Sequence, residues 1–326
     1  MKKSKFKEIA NQVIETEINS LKKLKKSIKI SFDKVIEEII NCKNGKVIVS
    51  GVGKSGIIAK KIASTLSSVG TPAFYVDASS CSHGDLGQIS SNDLLILISY
   101  SGETEELKNI IQYANRNKKI KLIGIVSKKN SLLYKCSDIK ILLPEVKEAG
   151  PGNIVPTSST ITQLAMGDAI AITTMKIKKF GNLEFKKFHP SGSLGTKLKT
   201  VDDLMLTGKK IPFIKEHTKM KDALTIITNK KLGVLIATNK KGKTTGIITD
   251  GQIRRALQKN KDLKKLLVKD VMTPKPITVN KDILAVKALE IMNSKKITSL
   301  CVKNSLENQK TIGIIHIHNI LEANIS

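Results

Sequence analysis

The sequence predicts an α/β chain in two parts: a doubly wound parallel-sheet domain at 1–200, then a tandem pair of α+β modules at 201–264 and 265–326. Three observations carry this. Short runs of Val, Ile and Leu, almost continuously apolar, alternate with segments of helical periodicity, as in parallel sheets buried on both faces. The texture changes near Thr200, after which one motif occurs twice. With 326 residues, 40% hydrophobic and 26% charged, the chain is long enough for several cores, and disordered, collagenous and open repeat-array readings are excluded.

Ile9, Val13, Ile14, Ile18 and Leu21, then Val35, Ile39 and Ile40, stand at helical spacing, so one or two amphipathic helices open the chain. The runs KVIVSG (from residue 46), PAFYVD, LLILIS, KLIGIV and IKILLP read as five strands, with SGIIAKKIASTLSS and ETEELKNIIQYANRN as helices between them. Pro156 and the cluster Thr157–Thr160 mark the start of a long helix from Ser158 to about Lys178. Further on, VDDLM (201–205) is echoed by VKDVMTP (268–274), MKDALTIITNKKLGVLIA by LAVKALEIMNSKKITSLCV, and TTGIITDGQI by TIGIIHIHNI. Two copies indicate a pseudo-symmetric pair, since a solenoid needs at least three units.

No stretch approaches the apolar length of a membrane span, and the basic start MKKSKFKEIANQ leads into an amphipathic segment rather than a signal-peptide core. A cytoplasmic protein with no membrane partner is expected. Cys42, Cys81, Cys136 and Cys301 lie far apart with no C-x-x-C pair, which fits reduced thiols. The net charge of +28 comes from lysine: only Arg116, Arg254 and Arg255 are arginines, and aromatics make up 3%. Nucleic-acid recognition favours the guanidinium fork and aromatic stacking platforms, so no nucleic-acid partner is expected. The excess reflects either AT-rich codon usage or a preference for anionic small molecules.

Two loops carry the chemistry. The first strand runs through Gly51-Val52-Gly53-Lys54-Ser55-Gly56 directly into a helix. A Walker A loop would need a glycine where Ile48 stands, so that reading fails. The G-x-G-x-x-G spacing also matches a dinucleotide fingerprint, with Asp77 as its ribose-binding acid. The third reading is a monophosphate cradle, in which backbone amides and the helix N-terminus face an anion, Ser55 adds a hydroxyl and Lys54 a charge. The second loop, Ser99-Tyr100-Ser101-Gly102-Glu103-Thr104, favours the cradle: its hydroxyls at Ser99, Ser101 and Thr104 serve a small phosphorylated ligand held between two strand ends.

GVGKSG, ISYSGET and VPTSST together resemble the sugar isomerase (SIS) domain family. The repeat resembles a tandem of CBS motifs. With HGDLG, VKEAG and HPSGSLG the resemblance narrows to the D-arabinose 5-phosphate isomerases that supply the Kdo pathway. It implies a SIS domain followed by a regulatory CBS pair, interconverting D-ribulose 5-phosphate and D-arabinose 5-phosphate without a cofactor. It further implies a homotetramer whose sites are completed by neighbouring subunits, and an adenine nucleotide at the CBS pair. Carried over by motif, the catalytic residues are Lys54, Glu106, Glu148 and His189, with Gly70, Thr71 and His83 near the substrate. Where relatives carry a histidine associated with an inhibitory metal this chain has Asp77, so the metal question stays open.

The reaction needs these residue types in its own right. Moving a proton between adjacent sugar carbons through an enediol takes a carboxylate base, which burial can tune toward neutrality. His189 suits ring opening, and Lys54 can offset the enediolate charge or bind the phosphate. Either Glu106 or Glu148 could be the base. Against this, Glu105 and Glu106 could be a solvated helix face, Glu148 a surface ion pair, and His83 and His189 loop turns. His316 and His318, in the second repeat, read as structural. A non-catalytic sugar-phosphate sensor is the competing function, since it needs the phosphate loops without the acid–base set.

Overall fold

The computed structural model describes residues 2–259, 262–305 and 310–325, with only the backbone described at 2–4, 193 and 194. It divides into two compact units, Met1–Phe185 and Lys186–Ser326. Among the described residues no helix is long and apolar enough to cross a membrane.

Two helices, α1 (Lys2–Ser27) and α2 (Ile30–Asn41), open the first unit. The five apolar runs become β1 (Val47–Gly51), β2 (Ala73–Tyr75), β3 (Leu94–Ile98), β4 (Lys121–Val126) and β5 (Ile139–Leu142). They form one parallel sheet in the order β2-β1-β3-β4-β5, the doubly wound arrangement expected from the sequence. Between them lie α3 (Gly53–Ser68), α4 (Ala78–Cys81), α5 (Leu107–Arg116) and α6 (Leu132–Cys136), and α7 (Ser158–Ile177) follows.

Strand side chains alternate between two cores. Val47, Val49, Ile96, Ile98, Ile123 and Ile125 pack under Leu24 of α1, Val35 of α2, Ile62 of α3 and Met166 of α7. Ile48, Leu95, Leu97, Leu122 and Val126 pack under Ile110 of α5, Leu133 of α6 and Cys81 of α4. Burial on both faces is why these strands carry no polar alternation. On the first face α3 and α7 approach closely: a Cβ on Gly167 would collide with Ile62.

Across the boundary runs α8 (Asn182–Phe188), and α9 (Gly192–Lys197) follows it. The first repeat comprises α10 (Val201–Leu204), β6 (Leu206–Thr207), β7 (Phe213–Lys215), α11 (Met220–Lys230), β8 (Val234–Thr238), β9 (Thr244–Thr249) and α12 (Asp250–Gln258). The second comprises α13 (Val268–Val271), β10 (Thr273–Pro274), β11 (Thr278–Asn280), α14 (Ala285–Lys295), β12 (Ser299–Lys303), β13 (Gly313–His316) and α15 (Ile317–Glu322). Their sheets run β10-β9-β8-β7 and β11-β12-β13-β6. Each repeat therefore lends its leading strand to the other's sheet, which makes the two copies one folding unit. A shared core of Ile211, Val234, Ile236, Cys301 and Ile314 joins them.

Candidate active site

In a doubly wound sheet, ligands bind at the carboxyl ends of the strands where the winding reverses. Here that point lies between β1 and β3, which pair directly from Val47↔Leu94 to Gly51↔Ile98. From β1 the chain leaves through α3 on one face, and from β3 it leaves through α5 on the other. The two hydroxyl- and glycine-bearing loops of the sequence are therefore neighbours.

The first loop is built for close backbone approach. Gly53 opens α3 at φ 57°, and a Cβ on Gly56 would lie 2.7 Å from the Gly51 carbonyl oxygen and 3.1 Å from the Tyr75 hydroxyl. Val52, at the N-cap, offers no side-chain acceptor to the first turn. The first amides of α3 have no carbonyl one turn earlier, so this end presents donors and a positive dipole end to an anion. Lys54 is exposed beside it, and Ser55 is half-buried.

In the second loop the hydroxyls divide the work. Ser99 is buried; its Oγ accepts from the Gly102 amide at 2.9 Å and lies 2.8 Å from Thr104 Oγ1. Ser99 thus shapes the loop, and Ser101, exposed and 3.5 Å away, faces outward with Thr104 half-buried behind it. Gly102 sits at φ 71°, and a Cβ there would strike the Ser131 side chain. Tyr100 fastens the loop to the exit of β5: its hydroxyl donates to the Pro144 carbonyl at 3.2 Å and accepts from the Val146 amide at 2.9 Å.

Glu106 stands at the N-cap of α5, exposed. Its neighbour Glu105 pairs with Lys108 at 2.7 Å, so the solvated-face reading fits Glu105. Among the described residues Glu106 has no ion pair or side-chain hydrogen bond. His83 is exposed on the turn after α4, and Asn109 of α5 holds that turn by donating to Ser82 Oγ at 2.8 Å. Asp77 caps α4, its Oδ1 accepting from the Ser79 amide at 2.8 Å. This capping role accounts for Asp77 without a ribose. Among the described residues no group of three or more His, Cys, Asp and Glu could hold a metal ion.

Glu148 differs most from expectation. It is 8% exposed rather than a surface partner of Lys147. A single oxygen, Oε2, accepts from the Thr157 amide at 2.7 Å, the Thr157 hydroxyl at 3.1 Å and the Ser159 amide at 3.2 Å. The cap of α7 is therefore supplied by a carboxylate from the preceding loop; Thr157 itself makes no side-chain cap bond. Burial alone would raise the Glu148 carboxyl, but hydrogen bonds from Ser159 and Thr157 outweigh it and hold it below the ordinary carboxylate range. A base tuned upward by burial is thus not found at Glu148. Its loop, 147–153, lines a cavity of about 690 Å³ with Ile9, Gln12, Val13 and Thr16 of α1.

The register Val47↔Ala73 places Gly70 and Thr71 at the amino edge of the sheet, a strand length from the two loops. Thr71 is buried there, its Oγ1 accepting from Lys178 Nζ at 3.0 Å, so neither residue joins the loops within the chain. His189 belongs to the second compact unit, half-buried just beyond α8. One contributor escaped the sequence reading: Gln163 of α7 is 1% exposed, and its Oε1 accepts from Ser55 Oγ at 3.2 Å. The available signal was a lone amide in a largely apolar helix, since an amide that such a helix buries needs a partner.

Comparison with known proteins agrees with this architecture. A model of the SIS domain matches residues 39–173, and one of the CBS domain matches 201–259 and 268–326. The arabinose 5-phosphate isomerase KdsD of Salmonella typhimurium is 38% identical over 98% of this chain and 96% of its own. The Yersinia pestis protein of the same name is 39% identical with the same coverage. Among solved structures, Escherichia coli CFT073 c3406, in complex with a sugar phosphate, aligns at a TM-score of 0.56 and 33% identity, covering 58% of this chain and 100% of that one. A putative sugar-phosphate isomerase from Listeria monocytogenes aligns at 0.56 and 32%, covering 59% and 100%. With paired phosphate-type loops at the switch point of a parallel sheet, a strand-exchanged CBS pair and full-length similarity of this degree, the chain belongs to the arabinose 5-phosphate isomerase family.

Proposed function

We propose that the protein interconverts D-ribulose 5-phosphate and D-arabinose 5-phosphate through an enediol, with no cofactor. The observation that carries this is the pairing of the two loops on adjacent strands at the switch point, with the exposed carboxylate of Glu106 at the start of the next helix. The phosphate lies against the α3 N-terminus, Ser55, Ser101 and Thr104. The third nearby helix end, that of α7, already holds the Glu148 carboxylate and offers no second anion site. Lys54 offsets charge on the enediolate or phosphate, and Glu106 moves the proton between the two sugar carbons. Glu148 keeps α7 in place, and His189 opens the sugar ring, in a neighbouring subunit's site if the assembly is a homotetramer.

The CBS pair is proposed to regulate this activity by binding an adenine nucleotide. A cavity of about 250 Å³ lined by Thr249, Gln252, Thr273, Lys275, Lys296 and Ser299 offers cations and hydroxyls for such a ligand. The reading places the enzyme in the cytoplasm, feeding Kdo synthesis.

The test is Glu106→Gln, which keeps size and polarity but removes the base. Loss of a general base costs roughly a hundredfold to ten-thousandfold in rate. Turnover should collapse while KM changes little. Parental turnover would make Glu106 a solvated helix residue and move the base elsewhere.

A further inference from the structure

The Ser55 hydroxyl has one proton, and in the folded chain it is directed at Gln163 Oε1, 3.2 Å away. The terminal oxygens of an ionised sugar phosphate in the first loop accept hydrogen bonds but cannot donate one. While Ser55 gives its proton to Gln163, it therefore cannot serve the phosphate. A primary amide resolves this conflict, because it carries an acceptor and two donors on one freely turning group. Turned by half a rotation, Gln163 would present Nε2 to Ser55 Oγ as a donor, and the hydroxyl proton would be released toward the loop.

The surroundings hold Gln163 at this post. It is 1% exposed, at the sixth position of α7. One turn further on, Gly167 lets α7 press against Ile62 of α3, and the Lys61–Asp168 ion pair ties the same two helices at their exposed edge. These contacts keep α3 against α7 and so keep Gln163 and Ser55 within reach of each other. A buried amide kept beside a hydroxyl also carries a desolvation cost that an apolar residue at this position would not.

We propose that Gln163 is a positioning residue for the phosphate: its amide turns from acceptor to donor as ligand binds, aiming the Ser55 proton at a phosphate oxygen. This rests on reading the Gly51–Gly56 loop as the phosphate cradle. No proton is lost or gained; one hydrogen bond reverses direction.

The experiment compares full-length parent, Ser55→Ala, Gln163→Met, Gln163→Glu and the double variant Ser55→Ala/Gln163→Met, reading KM for D-ribulose 5-phosphate and the inhibition constant of inorganic phosphate. Neither constant depends on the fraction of active protein, so partial misfolding does not obscure the result. Removing a hydrogen bond to a charged group should raise both constants in Ser55→Ala by about tenfold to a hundredfold. Gln163→Met should raise them by about threefold to tenfold at near-parental kcat, and the double variant should be no worse than Ser55→Ala. In Gln163→Glu, an ionised carboxylate can only accept. Its constants should be raised at pH 8 and approach the parent's as the pH falls and the carboxyl regains a proton to donate. An ionised carboxylate also repels the phosphate, so the double variant makes the distinction: a packing role alone would make it worse than Ser55→Ala. Raised constants in Ser55→Ala with parental values in both Gln163 variants at every pH would overturn this inference and leave the cradle standing. Unchanged constants in Ser55→Ala would overturn the cradle and this inference together.

Discussion

Replacing Glu148 with Ala should loosen the start of α7 and the loop before it. The carboxylate oxygen that would be lost accepts three hydrogen bonds, two from backbone amides that have no intrahelical partner. Hydrogen bonds to a charged group contribute roughly 1.5–3 kcal/mol, and loss of a helix cap costs about 1 kcal/mol. The contacts share one oxygen and do not add, so the expected loss is about 2–4 kcal/mol for Ala and about half that for Gln. The sign of the pH dependence follows from the lowered carboxyl. A depressed folded-state pKa stabilises above the unfolded value, about 4.3, and that stabilisation fades as pH falls through the folded value. The assay is hydrogen exchange over residues 147–165 together with thermal unfolding, for parent, Glu148→Ala and Glu148→Gln. Exchange in the first turn of α7 should rise in both variants at pH 7, and the parent's advantage over Gln should shrink below about pH 4. Equal protection at pH 7, or an advantage constant to pH 3, would refute the capping account.

Ser101→Ala removes an exposed hydroxyl donor from the second loop and should raise KM about tenfold to a hundredfold while the fold is kept; an unchanged KM would place the phosphate elsewhere. Gly102→Ala forces a side chain into φ 71° and against Ser131, so circular dichroism and kinetics should show destabilisation of about 1–3 kcal/mol and weakened substrate binding. A chain ending at Thr200 keeps both loops and His189 and should retain part of the parent's turnover. Complete inactivity of that chain, once folded and assembled, would show that the CBS pair contributes to catalysis directly.

The sheet was legible in the sequence because strands buried on both faces have no polar positions, so LLILIS and KLIGIV stand out without any partner being known. The loops were legible because glycines and hydroxyls there meet local geometric demands, such as the positive φ of Gly53 and Gly102. What escaped depends on contacts between distant residues. Pro156 and the hydroxyls of Thr157–Thr160 locate the start of α7, but its cap comes from Glu148, whose burial no local pattern reveals. Gln163 meets Ser55 across 108 positions, and periodicity says nothing of that pairing. The place of Gly70 and Thr71 at the amino edge of the sheet was also out of reach, since a motif does not say at which end of a strand a residue lies. The exchange of β6 and β10 was hidden because strands of two residues have no periodicity to read.

The central claim is that the two loops and Glu106 make an isomerase rather than a sensor. The most direct measurement is NMR of purified full-length protein with D-ribulose 5-phosphate in D₂O. The account predicts that D-arabinose 5-phosphate appears catalytically, with solvent deuterium at C2, where the enediol is reprotonated. Binding of the sugar phosphate with no conversion, under conditions where the protein is folded and assembled, would contradict it.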